Sequence, residues 1–538
     1  MSVKLLLREF ERIGDQSDAV PRLRDFVRKL AVSGNLSPTE PTEWSDCTLD
    51  DVGAWGSGGT PLKGNYDYYG GEIPWLVIGD LNDGLVTTAA STISELGLAN
   101  SSAKMVEPGT VLVAMYGSIG KLGLAGIRCA TNQAIAYCAV NPARVTAEFL
   151  MVALRSMRRD LLARGQGGTQ PNISQTILKA WPINLPPLAE QYRIVARVDE
   201  LMTLCDQLEA AQNERELHRD ALRSVSLHRL ASTDDDAGTT ADVRFFLDTS
   251  PRLITRTEHV AAVRQTILDL AVRGRLVPHD SEDGNGYELV TKISSSRQGA
   301  GARTPVSLEG VKSLPSLPDT WTWATIDEIS SVEAGAITDG PFGANLKTAD
   351  YVVTLGFRVV RLENIGHGSF RNARTTYITR EHWERLAKHH VFAGDLVVAG
   401  LVDPSVRACE VPRDIGPALV KADCYRFHVH PEFATHFALY YLNSPLCQDF
   451  AAVHHHGMTL TRLGLGNFRR LPIPVPPLAE QHRIVAKVDE LMAVYDELEA
   501  ALASAQFERG RLLEALLHDA LNESRRPMAS AQPAVGTT

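Results

Sequence analysis

The chain has 538 residues, of which 44% are hydrophobic and 22% charged, and its formal net charge is −10 at pH 7. This length suits about three domains, and no run of about 18 apolar residues predicts a membrane span. The N-terminus has charges on both sides of its short apolar patch, Leu5–Leu7, which excludes a secretory signal. The seven cysteines are odd in number and never spaced as CxxC, which favours a reducing cytoplasm without disulfides or a cysteine zinc site.

The acidic total counts against nucleic-acid binding, but the charge is uneven. Between Trp44 and Leu185 there are 10 Lys/Arg against 11 Asp/Glu, and between Trp321 and Val475 there are 15 of each. The acidic excess therefore lies mostly in the remaining segments. Each large segment is close to neutral, so it can still present one basic face.

In chain order, the first predicted element is a short helix at Pro21–Ser33, and a similar helix follows much later at Glu258–Arg273. The first helix runs into LAVSGNLSP (Leu30–Pro38) and the second into LAVRGRLVP (Leu270–Pro278), an offset of 240. Because further matches keep the same order at rising offsets, the chain contains an internal repeat.

A long helix is predicted at the end of each copy. PPLAEQYRIVARVDE (Pro186–Glu200) returns as PPLAEQHRIVAKVDE (Pro476–Glu490), and paired prolines suit a helix entry. The helices are predicted over Leu188–Ala231 and Leu478–Glu523, about 60 Å each at 1.5 Å per residue. The run Asp234–Asp242 is expected to end the first.

Apolar residues recur along both long helices at the 4, 3, 4, 3 spacing of a heptad seam. This pattern favours two equivalent helices packed antiparallel on each other. Two amphipathic helices packed on separate cores remain the alternative. The seam residues are Ile194, Val198, Leu201, Cys205, Leu208, Ile484, Val488, Leu491, Tyr495, Leu498 and Leu502.

The segments between the helices are predicted to be α+β globules. Short Val/Ile-rich runs bounded by turn residues predict strands at Ile73–Gly84, Gly109–Gly120, Gly356–Gly368 and Gly394–Gly400. Helices are predicted late in each segment, at Thr146–Gly165 and Glu432–His454. Ser294–Pro305 has the composition of a flexible linker.

The predicted fold class is α+β, with two globular domains joined by a pair of long antiparallel helices as a coiled coil, and a pseudo-two-fold internal repeat. The predicted boundaries are an N-terminal helical segment at 1–43, a first globular domain at 44–185, a central helical region at 186–278, a linker at 279–320, a second globular domain at 321–475, a C-terminal helical region at 476–524 and a disordered tail at 525–538.

Catalytic motifs are missing from the sequence. Asn141-Pro-Ala and Asp403-Pro-Ser lack the second proline and the aromatic residue of an adenine methyltransferase turn. Gly117–Lys121 resembles a phosphate loop, but Leu122 stands where Ser or Thr must bind magnesium. Three adjacent histidines, 454–456, point different ways and do not converge on one metal. No catalytic or metal residue is predicted.

Polar loops are the candidates for reading DNA. The loop Gly165–Gln175 and its counterpart at His454–Arg462 offer side chains that can bond base edges, and arginines near them can hold phosphate. For any single residue, a solvated loop or a capping side chain is the alternative. The candidates are Lys63, Tyr66, Tyr68, Arg155, Arg158, Arg159, Thr169, Gln170, Asn172, Gln175, Arg358, Arg361, Arg371, Arg374, His455, His456, Thr459 and Arg462.

The duplicated PPLAEQxRIVAxVDEL and LAVxGxLxP segments resemble the specificity subunit of a type I restriction-modification system, from about Pro21 to Glu523. The family alternates two target-recognition domains with two helical conserved regions. The resemblance implies a non-catalytic subunit that binds double-stranded DNA at a bipartite target. It also implies two modification subunits, which use S-adenosylmethionine to methylate adenine N6, and two restriction subunits, which use ATP and Mg²⁺; no cofactor is expected on this chain.

Two other classes stay open from the sequence. One is a stand-alone DNA-modifying enzyme, such as a methyltransferase or nuclease, which binding of S-adenosylmethionine to the purified chain would support. The other is a coiled-coil adaptor without direct DNA contact, which salt-dependent binding to a split duplex site separates from a reader. The target bases, the gap between half-sites and the presence of a restriction subunit do not follow from the sequence.

Overall fold

The structure is a computed structural model that describes residues 18–36, 43–165, 172–232, 245–246, 249, 254–300, 303–308, 314–352, 356–401, 406–452 and 462–523. The chain divides into two compact units: Met1–Leu217 with Gln506–Thr538 (unit 1), and His218–Ala505 (unit 2). Within the described ranges, no helix combines the length and apolar character needed to cross a membrane. The predicted helix break at Asp234–Asp242 and the tail at 525–538 lie outside these ranges.

Within the described residues, unit 1 contains short strands, four helices, the start of a long fifth helix and the last part of a second long helix. The helices are α1 (Ala19–Val32), α2 (Glu95–Ala99), α3 (Ala147–Ala163), α4 (Gln175–Lys179) and α5 (Leu188–Ser232). The strands are β1 (Ser45–Thr48), β2 (Gly53–Ser57), β3 (Tyr69–Leu76), β4 (Leu85–Val86), β5 (Thr92–Ile93), β6 (Met105–Val106), β7 (Val111–Ala114), β8 (Leu122–Ala125), β9 (Cys129–Thr131), β10 (Ile135–Val140) and β11 (Pro182–Leu185).

The strands of unit 1 form two main sheets and one two-stranded pair. The sheet orders are β2-β10-β7-β8-β4 and β5-β3-β9-β6, and β1 pairs antiparallel with β11. Helix α3 begins at Thr146, whose side chain accepts a hydrogen bond from Phe149 N at 3.2 Å. Its buried face, including Phe149 and Leu154, packs with Val111 and Val113 of β7 in the main core. This burial fixes the helix on the sheet.

Unit 2 repeats this plan. Its helices are α6 (Thr257–Val272), α7 (Gly286–Gly299), α8 (Arg380–Arg385), α9 (Thr435–Leu442), α10 (Pro445–Ala452), α11 (Leu465–Arg470) and α12 (Leu478–Glu523), which continues into unit 1. Its strands are β12 (Thr322–Thr325), β13 (Ile337–Asp339), β14 (Phe357–Val360), β15 (Tyr377–Ile378), β16 (His390–Val391), β17 (Leu396–Ala399), β18 (Ala408–Glu410), β19 (Ala418–Val420), β20 (Cys424–Phe427) and β21 (Pro472–Val475).

The sheets of the two units have the same strand order. Unit 2 contains β13-β20-β17-β18, which matches β2-β10-β7-β8, and β15-β14-β19-β16, which matches β5-β3-β9-β6. The pair β12-β21 matches β1-β11, and the parallel contact of β14 with β19 matches that of β3 with β9. The repeat detected in the helices therefore extends through both globular domains.

The conserved Pro-Pro-Leu-Ala-Glu-Gln segment joins each long helix to its globular domain through a buried glutamine. Gln191 donates to Pro186 O and Arg144 O, each at 2.8 Å, and accepts from Thr146 N at 2.8 Å. Gln481 donates to Pro476 O and accepts from Ala434 N, each at 2.9 Å. Both glutamines are fully buried. This bonding explains why the segment is so little changed between the copies.

Each short helix is tied to the long helix of its own copy by an arginine. Arg24 of α1 contacts Asp206 and Glu209 of α5 at 2.6 and 2.7 Å. Arg264 of α6 contacts Asp496 and Glu499 of α12 in the same way. The ion pairs thus occupy equal places in the two copies.

Two sequence predictions were wrong in this region. Ser294–Pro305 was expected to be a linker, but Ser294–Gly299 forms the end of helix α7, which Asn285 caps by accepting from Glu288 N at 2.8 Å. Leu289 and Ile293, four residues apart, bury this helix in the core, and the Ser/Gly composition hid that spacing. The predicted helix Glu432–His454 is two helices, α9 and α10, separated at Asn443 and Ser444.

Candidate nucleic-acid interface

Asn172 and Arg462 occupy the same structural place in the two units. Asn172 forms an antiparallel bridge with Tyr116, and Arg462 forms one with Leu401. The next residue repeats the match, because Ile173 N donates to Met115 O and Leu463 N donates to Gly400 O, both at 2.9 Å. The side chains of Asn172 and Arg462 are exposed. Each stands where a candidate loop rejoins the domain.

The candidates within those loops lie outside the described residues. They are Thr169 and Gln170 in unit 1 and His455, His456 and Thr459 in unit 2. Gln175, by contrast, opens the short helix α4 and is half-buried, directly after the capping residue Ser174. Arg462 carries an ion pair with Asp423 at 3.2 Å and is still half-exposed.

The candidates Lys63, Tyr66 and Tyr68 lie on or next to a surface turn. Tyr66 and Tyr68 lie in one turn of 3-10 helix that Asn65 caps by accepting from Asp67 N at 3.1 Å. Tyr66 is 89% exposed, and Lys63 is also exposed. An uncovered tyrosine of this kind is available for stacking, and its participation in one face with Asn172 stays a prediction.

Arg155, Arg158 and Arg159 were predicted to hold phosphate, and all three lie on α3. Two of them pair within the protein. Arg158 forms an ion pair with Asp83 and donates to Gly120 O at 2.7 Å, and Arg155 donates to Asp83 O. Arg159 is exposed and lies 3.3 Å from Asp25 of α1. These contacts direct the arginines toward a cleft rather than along an open surface.

The four arginines predicted in unit 2 separate into two groups. Arg358 is 2% exposed and lies over the Tyr377 ring, and Arg361 pairs with Glu363 at 3.2 Å. Arg358 is therefore buried in the domain, and Arg361 is held in an ion pair. Arg371 and Arg374 are exposed on a loop.

Buried Asn364 shapes the loop that carries Arg371 and Arg374. It donates to Arg371 O at 2.9 Å and to Ala373 O at 2.6 Å. Its side chain also accepts from Arg361 N at 3.0 Å, which closes the preceding turn. The two exposed arginines are thus held on an ordered loop, as a phosphate-binding role requires.

The predicted seam residues begin inside the cores of their own units. Ile194 and Val198 belong to the main core of unit 1, and Leu201 packs against it. Ile484, Val488, Leu491 and Tyr495 belong to the main core of unit 2, where Leu498 and Leu502 pack against them. Cys205 is buried and Leu208 is half-buried. The start of each stripe therefore follows the alternative of separate cores, and packing of one long helix on the other stays a prediction.

Reactive groups are few in the described part of the chain. No cluster of three or more His, Cys, Asp or Glu residues with metal-binding geometry occurs there. All seven cysteines are free, and burial raises the pKa of Cys129 to about 11 and that of Cys138 to about 12. Such thiols are poor nucleophiles at neutral pH.

Sequence reasoning missed Gln191, Gln481 and the two arginine clusters on the short helices. The sequence held a signal for these residues, because the two glutamines recur at the repeat offset, and so do Arg24 and Arg264. No local signal marked Arg28, because the groups that line its cleft come from distant segments of the chain.

The chain is similar to known proteins in both sequence and structure. A family model described as the type I restriction modification DNA specificity domain matches residues 41–219 and 411–505. The chain is 26% identical over 388 residues to the EcoEI type I restriction enzyme specificity subunit of Escherichia coli, covering 68% of this chain and 62% of that protein. It is 26% identical over 363 residues to the EcoAI specificity subunit of the same organism, covering 63% and 58%. The alignments thus span about 60% of these relatives.

A solved chain from work on complex assembly and conformational transition of the type I restriction-modification system has a similar fold. Its TM-score is 0.52 at 18% identity, and the match covers 90% of this chain and 99% of that one. The duplicated α+β architecture therefore places this chain in a known two-domain fold class. Since the family model matches about half of the sequence, the chain belongs to the type I restriction modification DNA specificity family. The two Escherichia coli relatives are named as specificity subunits of type I restriction enzymes.

Proposed function

We propose that this chain reads a bipartite DNA target, with one globular domain on each half-site. The observation that carries the proposal is the repeat of one sheet topology with different exposed side chains at equal places. Asn172 in unit 1 corresponds to Arg462 in unit 2 at the same bridge. Two domains with the same fold and different contact residues suit two half-sites of different sequence.

The chemistry of these two residues supports base reading. An asparagine amide can bond the N6 and N7 edge of adenine, and an arginine can bond O6 and N7 of guanine. We place Asn172 and Arg462 first among the contacts, and the exposed Tyr66, Arg371 and Arg374 second. The loop residues Thr169, Gln170, His455, His456 and Thr459 stay candidates, as do Lys63, Tyr68 and Gln175.

The two long helices set the gap between half-sites in this proposal. Two major-groove readers on one DNA face must lie about one turn apart, near 34 Å, or a multiple of it. The 45 residues of Leu188–Ser232 correspond to about 68 Å of helix. A helix keeps such a span where a flexible linker does not.

The same helices are proposed to hold the other subunits of the complex. Two modification subunits, which bind S-adenosylmethionine and methylate adenine N6, and two restriction subunits, which use ATP and Mg²⁺, are the partners. The near-identity of the two helix starts supports docking of each partner type twice. The proposed location of the complex is the cytoplasm. The predicted domain boundaries at 44–185 and 321–475 enclose the two readers, and the chain itself holds no cofactor.

Methylome sequencing tests the proposal. Cells are compared with and without this chain, each with the modification partner present. A split motif methylated only when the chain is present is the expected result. A chain that shows no salt-dependent binding to that motif in duplex form, while the partner methylates without it, would be an adaptor and not a reader.

A further inference from the structure

Unit 1 contains a cleft of about 820 Å³ between α1, α3 and the loop at Asn82 and Asp83. Five arginines line it: Arg24, Arg28, Arg155, Arg158 and Arg159. Three aspartates, Asp25, Asp83 and Asp206, line the same cleft. Positive groups from two distant segments of the chain therefore converge on one space and outnumber the carboxylates that face them.

Most of these arginines are engaged, but Arg28 is not. Arg24 holds Asp206 and Glu209, Arg158 holds Asp83, and Arg159 lies 3.3 Å from Asp25. For Arg28, no ion pair or hydrogen bond is found within the described ranges of the chain. Burial lowers the pKa of Arg28, the nearby Asp25 raises it, and the neighbouring Arg158 lowers it. A partly buried guanidinium with free donors beside four others is suited to an anion.

The fold does not require this cluster, because unit 2 builds the same architecture without it. The repeat places Leu268 where α1 has Arg28. Counting from the helix starts that Gln191 and Gln481 hold, Asn443 and Leu446 match Arg155 and Arg158 in sequence position, although unit 2 breaks the helix at Asn443 and Ser444. Leu268 and Leu446 are buried in the core of unit 2. The five-arginine cleft is therefore an addition to the common fold.

Asp83, which lines the cleft, has its backbone in the left-handed region, with φ of 60°. Its counterpart is Gly368, with φ of 74°, and both residues donate their N–H to the first residue of the neighbouring strand, Leu122 O and Ala408 O. Glycine adopts this conformation without cost, and an aspartate does so less readily. Unit 1 thus has an aspartate with a left-handed backbone at the position that holds Arg158.

We propose that the cleft is a phosphate-binding site, in which Arg28, Arg155 and Arg158 bind a phosphate group with Asp83 as the competing internal anion. Guanidinium groups bond phosphate oxygens in pairs, and all three arginines line this cleft. The phosphate belongs either to a free phosphate compound or to the backbone of a bound duplex. A phosphate-binding site goes beyond base reading. It is specific to unit 1, because unit 2 has no arginine at the positions that match Arg28, Arg155 and Arg158.

Isothermal titration calorimetry of the full chain with pyrophosphate is the first arm of the test. Arg28→Leu substitutes the residue that unit 2 carries at the matching position, and it should weaken binding about tenfold. Arg128→Leu removes the same charge from an exposed position in unit 1 and should leave binding unchanged. Asp83→Gly removes the competing carboxylate and should tighten binding.

The second arm measures the salt dependence of duplex binding. If the cleft holds a backbone phosphate, Arg28→Leu should lower the slope of log K against log salt by about one. An effect in the first arm alone identifies a free phosphate compound, and an effect in the second identifies the duplex backbone. Unchanged values in both arms for Arg28→Leu overturn the site. If the chain binds no duplex at all, the proposed function fails while the pyrophosphate arm still decides this inference.

Discussion

The two globular domains have one topology and different polar interiors, and the difference separates what the fold needs from what it permits. The turn before β7 in unit 1 is closed by Thr110, whose hydroxyl donates to Glu107 O at 2.6 Å. The equivalent turn in unit 2 is closed by Asp395, which accepts from Phe392 N at 2.8 Å. A neutral and a charged residue therefore perform the same local task.

The charged version requires further partners. Asp395 is buried and bonds Arg426 at 2.6 Å and His428 at 2.5 Å, whereas the matching positions in unit 1 are Tyr137 and Ala139. A buried carboxylate without such partners is costly. Features shared by both units, such as the buried glutamines, are thus structural, and unshared ones such as Asn172 against Arg462 are where specificity can differ.

The largest effect is expected from lengthening the two long helices. We expect one heptad inserted within Glu209–Leu222, and its match within Glu499–Leu512, to change the gap in the recognised site. The half-site sequences should stay, because neither domain is altered. Methylome sequencing of the variant reads both at once. A heptad preserves the helix face, since it adds about two turns. Changed half-sites with the original gap would contradict the role of the helices.

A second test removes a feature that the units share. Gln191→Ala eliminates three hydrogen bonds of a buried side chain and leaves Thr146 N without its partner, so we expect a loss of about 3 kcal/mol in unfolding free energy. Gln481→Ala should cost about 2 kcal/mol, since it loses two such bonds. Urea denaturation measures both.

Gln207→Ala, on the exposed face of the same long helix, is the control for the buried glutamines. It should change stability by less than about 0.5 kcal/mol. Hydrogen exchange at the start of α3 should rise in Gln191→Ala only. Equal stability of the Gln191 and Gln207 variants would show that the buried glutamine does not hold the domain to the helix.

A third test exchanges the residues at the position where the units differ. Asn172→Arg should shift preference at one base of the first half-site from adenine toward guanine, and Arg462→Asn should do the reverse in the second. A bidentate side-chain contact is worth about 1–3 kcal/mol of discrimination between bases. Competition binding with duplexes that vary one position at a time measures the shift. Uniform weakening across all duplexes would instead indicate a phosphate contact at these residues.

The helices could be predicted closely from sequence because the repeat supplies two readings of each. The long helices were expected at Leu188–Ala231 and Leu478–Glu523 and are found at Leu188–Ser232 and Leu478–Glu523. Strong periodicity and paired prolines fix these boundaries locally. Helix α7 was missed because its three serines and two glycines outweighed the spacing of Leu289 and Ile293.

The site was harder to predict, because arginine partners depend on tertiary structure. The spacing of Arg155, Arg158 and Arg159 was visible, but nothing local indicated that Asp83 and Asp25 would meet them. The strand order shared by both units was equally hidden, since parallel contacts such as β14 with β19 join segments far apart in sequence. Periodicity reports which face of an element is buried, and not what covers it.

The smallest expected effect distinguishes the charged turn of unit 2 from its neutral counterpart by pH. The hydrogen bond to Asp395 raises the pKa of His428 above its usual 6.5. The stability from this pair is therefore complete below about pH 6.5 and is lost as the pH rises through the raised pKa. His428 is 37% exposed, so solvent screening limits the loss to about 0.5 kcal/mol.

Hydrogen exchange of β17 and β20 between pH 6 and 8, corrected for intrinsic rates, should show this loss of stability. His428→Gln should abolish the dependence, and β7 and β10 serve as the internal control because Ala139 cannot titrate. An equal pH response of both strand pairs would mean that the pair with Asp395 is not its source.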